Sequence, residues 1–343
     1  MRMRHLLMLF VVLVVGLLPL TGTAWDRGHV ERFATLPAGS TGPEGLTVGP
    51  DGNVYVTTFG FNAQGAVDSL GQLFVFRPNG KLLRQVSIAN STSHLLDLGF
   101  HPSTHALLVI DFGARVVLKV DPVTGASSVF MTVTGPAGLN AITFDAAGNV
   151  YVSDSFQGII WRTGAGGGAG TAWVTNATLL PNGVPPFGAN GLAFNNAGNA
   201  LFVANTANDT VVKIPVSGGI PGTPAVFVNS INGADGLVID KHDNIWVCAN
   251  QADEIVILDP TGKVIAKLGD FDGIDRNGAV KGLLFPASLA FGGEFLYVTN
   301  LALDLRLVGQ VQAVDSQWAA EVTTYTVSKI RARIPQLPGR DDD

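Results

Sequence analysis

One phrase of polar and apolar positions recurs along this chain. A polar residue opens it and a short apolar strand follows. A turn holding Gly or Asp comes next, then a second apolar strand. Residues 44–56, 140–152, 190–203 and 235–247 carry the phrase clearly, and 97–109 and 288–298 are weaker copies. The openers are Glu44, Asp97, Asn140, Asn190, Asp235 and Ser288, separated by 53, 43, 50, 45 and 53 residues. Most copies are followed by two more strand-like runs, such as 72–77 and 81–88, or 254–259 and 263–268. Four antiparallel strands at this period are the unit of a β-propeller blade. Strands apolar on both faces need cover on both, and blades stacked radially supply it. The pattern therefore predicts an all-β, six-bladed propeller. Its ring closes through an N-terminal strand (30–34) or the C-terminal run (322–334), and the pattern does not choose between them.

Three segments follow. Residues 1–24 have a basic start, an apolar run from Leu6 to Leu20 and a small-residue cleavage site at Gly22-Thr23-Ala24, the three regions of a signal peptide. Residues 25–335 form the propeller, with Trp25 as the expected mature start, and 336–343 are an expected disordered tail. Export to the periplasm or the exterior is expected, as a monomer without a stable membrane anchor.

Composition narrows the partners. A net charge of −6 argues against nucleic acid, which calls for a basic surface. The single cysteine, Cys248, excludes an intramolecular disulfide and sits in an apolar strand, so a buried thiol is expected. Asp270 to Asp275 departs from the calcium-loop pattern of EF-hands and is expected to be an acidic loop between blades 5 and 6 at the substrate rim. His101, His105 and His242 fall at hairpin turns and are expected to be solvated. His94 is the histidine nearest an opener.

Propeller geometry gives the openers a chemical meaning. The first strand of each blade lines the channel, so the openers converge on one axis. Gly45, Gly191 and Gly236 follow three of them, which suits close backbone approach. Carboxylates and amide carbonyls are hard oxygen donors that suit Ca2+, with Mg2+ as an alternative. No His or Cys stands in the ring, which disfavours zinc and copper. The same residues also fit a merely wet, hydrogen-bonded channel. Asp97, Ser288 and His94 are further channel-lining candidates.

At these residues the chain resembles the senescence marker protein/gluconolactonase-like propellers, which are related to paraoxonases and diisopropyl fluorophosphatase. The resemblance rests on Glu44 in Pro-Glu-Gly, Asn140 in Leu-Asn-Ala, Asn190 in Ala-Asn-Gly-Leu-Ala-Phe and Asp235 in Ala-Asp-Gly-Leu. It implies that Glu44, Asn140, Asn190 and Asp235 hold a divalent ion, with Asp235 or Glu44 as base or nucleophile. It also implies hydrolysis of a small-molecule lactone, ester or phosphotriester. Two positions depart from the sugar-lactone pattern: Gly138 stands where such enzymes carry Arg, and Ala141 where they carry Asp. A more apolar ester or lactone is therefore expected. Two other functions share the scaffold. One is a non-catalytic binding propeller of the NHL kind with a structural ion. The other is a lyase of the virginiamycin type, which requires a metal-site histidine that this sequence does not place.

Overall fold

The computed structural model describes residues 26–309 and 315–335. The expected leader and tail lie outside the described residues.

Six antiparallel sheets stand around a channel, as the repeat predicts. Their innermost strands are Pro43–Val48, Leu95–Phe100, Leu139–Phe144, Ala189–Phe194, Ala234–Ile239 and Pro286–Gly292, defining blades 1 to 6. The second strands, such as Val54–Thr58 and Val150–Asp154, are buried along their whole length because a neighbouring blade covers each face. The outer strands are more exposed, and in Leu82–Ser87 only Arg84 and Val86 are half-buried.

The ring closes with both termini in one blade. Blade 6 runs from Pro286–Gly292 through Phe295–Asn300 and Thr326–Arg331 to the N-terminal strand Val30–Thr35 on its outer edge. Ion pairs fasten that strand and its approach. Arg27 pairs with Glu254 of blade 5, and Arg32 pairs with Asp275. The acidic stretch expected to line a substrate rim thus partly anchors the N-terminus, since Asp270 also takes Arg27. It forms a hairpin, Phe271–Ile274 with Val280–Gly282.

The repeated turn has a common lock. Asp51 accepts from the Asn53 side chain and the Tyr55 hydroxyl at 2.6 and 2.8 Å. Asp145 takes Asn149 and Tyr151 in the same way, and Asp240 takes Asn244 and Trp246. This is why the hairpins read Asp, then Asn, then an apolar residue and an aromatic one. Blade 2 differs, because His101 replaces the aspartate. His101 is fully buried, contrary to the solvated position expected, with its Nε2 bonded to the Gly148 carbonyl at 2.9 Å and Nδ1 taking the Ser103 and Thr104 amides. Cys248 is buried, as expected.

Every innermost strand carries a β-bulge, in blade 1 between Pro43 and Leu46 and at the equivalent place in the other five. The bulge brings the second residue of each strand to the channel and presses the third against the next blade. A Cβ at Gly236 would lie 2.4 Å from the Ala287 carbonyl oxygen, and one at Gly191 2.5 Å from the Asp235 carbonyl oxygen. The substitution Gly236→Ala is expected to cost about 1–3 kcal/mol, the usual penalty of overpacking. Thermal denaturation should show a lower Tm, and an unchanged Tm would contradict the close approach.

Candidate metal centre

Strand register decides which residues face the axis together. The bulges align Glu44, Leu96, Asn140, Asn190, Asp235 and Ala287 as the second residues of the six innermost strands. Asp97 and Ser288 are therefore one position past the true openers of their blades. They line a second chamber of about 450 Å³ further along the channel, which Glu44, Asn140 and Asn190 also border. Asp97 there accepts the Leu98 and Ile142 amides at 2.9 and 3.0 Å. Burial pushes its carboxyl up to about 7, although those two amides pull it down. His94 lines neither chamber. Its Nδ1 bonds the Phe59 carbonyl at 2.6 Å, and its ring stacks on Phe61.

Glu44, Asn140, Asn190 and Asp235 all meet at the upper chamber, and each is at most 6 % exposed. Their oxygens are poorly served by the protein. Glu44 Oε2, Asn140 Oδ1 and Asp235 Oδ1 are buried without a hydrogen-bond partner. Among the described residues, no Lys, Arg or His makes an ion pair with Glu44 or Asp235. Burial first, then the nearby Asp235 and Asp97 charges, hold the Glu44 carboxyl well above the usual carboxylate range. Burial likewise pushes Asp235 up to about 7, against the opposing pull of Asn250 and Asn190. Two desolvated carboxyls with free oxygens are compensated either by protonation or by a cation. Two carboxylates and two amide oxygens, with no nitrogen or sulfur donor, fit a hard ion such as Ca2+. Among the described residues no cluster of three His, Cys, Asp or Glu exists, so the amides are essential to the donor set.

Three residues at the site went unnoticed in the sequence: Ser155, Thr206 and Asn250. Each is the residue just past the end of the second strand, 15 or 16 residues after an opener, and hydrogen-bonds that opener's side chain. The fixed offset was the available signal.

The rest of the chamber is apolar. Phe59 and Leu96 come from blades 1 and 2, and Leu301, Leu303 and Leu305 from the long loop of blade 6. Phe187 and Phe285 complete the cover. Phe187 also belongs to an aromatic group with Phe112 and Phe156, centroids 5.9 to 6.2 Å away. The Phe156 ring lies where a side chain at Gly138 would project, 2.7 Å from an added Cβ. The cavity here measures about 40 Å³, room for an ion and a water or two.

The fold and the donor set define a six-bladed propeller with a hard-oxygen centre in its channel. The chain belongs to the SMP-30/gluconolactonase/LRE-like family, whose model matches residues 113–300, more than half of its length. A short stretch, 32–59, matches the N-terminal part of strictosidine synthase-like proteins. No curated protein matches the sequence. Solved structures share the fold at low identity. A luciferin-regenerating enzyme is 17 % identical with a TM-score of 0.64, over 89 % of this chain and 95 % of that one. A gluconolactonase from Xanthomonas campestris is 10 % identical with a TM-score of 0.60, over 90 % of each chain. Regucalcin from Agrobacterium tumefaciens, a calcium-binding protein, is 16 % identical with a TM-score of 0.58, over 86 % of this chain and 92 % of that one.

The unmatched charge yields a direct prediction. In chelator near pH 8, Glu44→Gln removes a carboxyl whose ionisation burial and the facing Asp235 oppose. The variant is expected to be more stable than the wild type by about 1 kcal/mol or more, roughly 2 °C in Tm. Added Ca2+ should stabilise the wild type and leave the variant unmoved. A less stable variant in chelator would show that Glu44 is well accommodated without an ion.

Proposed function

We propose that this protein hydrolyses an apolar lactone or ester, with a divalent cation, Ca2+ foremost and Mg2+ second, held by Glu44, Asn140, Asn190 and Asp235. The observation that carries this reading is the set of unpartnered oxygens facing an apolar chamber. When bound, such a cation polarises a carbonyl or phosphoryl oxygen and lowers the pKa of water. The amide oxygens of Asn140 and Asn190 add donors without charge, and the two carboxylates balance the ion. Asp235 keeps Oδ2 on Asn250 and leaves Oδ1 free, which suits a base or nucleophile; Glu44 is the other candidate for that role.

Substrate class follows from the walls. Among the described residues no Lys, Arg or His lines the upper chamber, so an anionic sugar acid meets no cationic side chain there. Phe156 over Gly138 and the leucines of blade 6 favour an alkyl or aryl group. The absent histidine also speaks against a lyase that depends on one. Export is part of the same reading and rests on residues 1–24.

The small chamber volume favours one rival, a binding propeller with a purely structural ion. Assays on an aryl ester, an aliphatic lactone, a sugar lactone and a phosphotriester separate the two. Turnover of the aryl ester or aliphatic lactone that chelator abolishes, Ca2+ restores and Glu44→Gln loses is the expected result. No turnover on any member, with a calcium-dependent rise in Tm, would overturn hydrolysis and favour the structural ion.

A further inference from the structure

A buried hydrogen-bonded belt runs through blades 3, 4 and 5 alongside the candidate donors. Asn140 Nδ2 donates to Ser155 Oγ at 3.1 Å, and Ser155 Oγ donates to the Ala189 carbonyl at 2.8 Å, one residue before Asn190. Asn190 Nδ2 then donates to Thr206 Oγ1 at 3.0 Å, and Thr206 Oγ1 donates to the Ala234 carbonyl at 2.8 Å, one residue before Asp235. Asn250 Nδ2 ends the belt by donating to Asp235 Oδ2 at 2.8 Å. Ser155, Thr206 and Asn250 are at most 2 % exposed.

The belt has a direction. A hydroxyl owns one proton. Ser155 and Thr206 spend theirs on backbone carbonyls, so towards the asparagines they can only accept. Only the NH2 end of each amide can face them, and Oδ1 is turned the other way. Asn140 Oδ1 is indeed left buried and unpartnered. Asn250 fixes Asp235 by the converse rule, as a donor to one carboxylate oxygen, and the second oxygen stays free.

Tying blades together does not require this arrangement. Thr57 and Thr299 donate to the Leu96 and Glu44 carbonyls of adjoining blades at 2.6 and 2.8 Å. They do so from two residues earlier in their strands, and neither hydrogen-bonds an opener's side chain. The positions equivalent to Ser155, Thr206 and Asn250 in blades 6, 1 and 2 are Leu301, Phe59 and Phe112. The polar residue appears at that place only in the three consecutive blades that supply Asn140, Asn190 and Asp235.

We propose that Ser155, Thr206 and Asn250 are positioning residues of the ion site, which dictate that oxygen rather than NH2 faces the chamber. The inference rests on the ion reading above. Its test is Ca2+ titration by calorimetry on the full chain, with melting in chelator alongside. Thr206→Val keeps the shape and removes the proton. It is expected to weaken Ca2+ binding about 10–100-fold, the usual effect of losing a ligand's hydrogen-bond partner. Thr206→Ser restores the hydroxyl and should bind within about threefold of wild type. A Thr206→Val protein that melts lower in chelator yet binds Ca2+ within about twofold of wild type would reduce the belt to a blade fastener and overturn the proposal. Should Thr206→Val not fold, Ser155→Ala is read by the same criteria through Asn140. A wild type that takes up neither Ca2+ nor Mg2+ refutes the ion reading and this inference together. Tight wild-type binding with an indifferent variant refutes the inference alone.

Discussion

Two carboxylates, Glu44 and Asp235, are buried at one end of a channel, and among the described residues no cationic side chain pairs with them. Much of the local architecture follows from keeping them there. The bulges aim them at the axis, and Gly236 and Gly191 let neighbouring backbones come close enough to bury them. Asn250 occupies one oxygen of Asp235 and leaves the other open. Such a site is costly without a cation and well compensated with one. Six blades allow this because each contributes one position to the ring, and those positions can differ while the stacking faces remain alike.

The ring is accordingly two-sided. Blades 3, 4 and 5 carry Asn140, Asn190 and Asp235 with their polar supports. Blades 6, 1 and 2 present Ala287, Leu96, Phe59 and Leu301 within a continuous apolar cluster, and in that half Glu44 is the charged residue at the upper chamber, with Asp97 one position further along the channel. A substrate with a polar carbonyl and an apolar body matches this division. The carbonyl belongs with the oxygen donors, and the body belongs against the leucines and phenylalanines, where burial contributes about 25 cal/mol per Å².

The blades, their number and the meeting of Glu44, Asn140, Asn190 and Asp235 in the channel were legible in the sequence, because the repeat places these residues at one point of a regular phrase. Register in blades 2 and 6 was not. The bulge offsets pairing by one residue, and at Leu96-Asp97 and Ala287-Ser288 the polar residue drew attention while the true opener was apolar. Ring closure stayed open because Val30–Thr35 and Thr326–Arg331 both read as strands, and the structure pairs them with each other. The belt was hidden for another reason. Ser155, Thr206 and Asn250 differ in type and share only an offset, and nothing local shows where a hydroxyl proton goes. His101 misled because a turn position suggested solvent, whereas it substitutes for the aspartate that locks other turns.

The central claim is that Glu44, Asn140, Asn190 and Asp235 converge on one cation through oxygen. A crystal structure of the protein grown with Ca2+, read by anomalous scattering, tests it most directly. The account predicts a single ion in the upper chamber, touching one or more oxygens of each of the four side chains, with both amide nitrogens turned to Ser155 and Thr206. Ordered water in its place at saturating Ca2+, or an amide nitrogen facing the chamber, would contradict it.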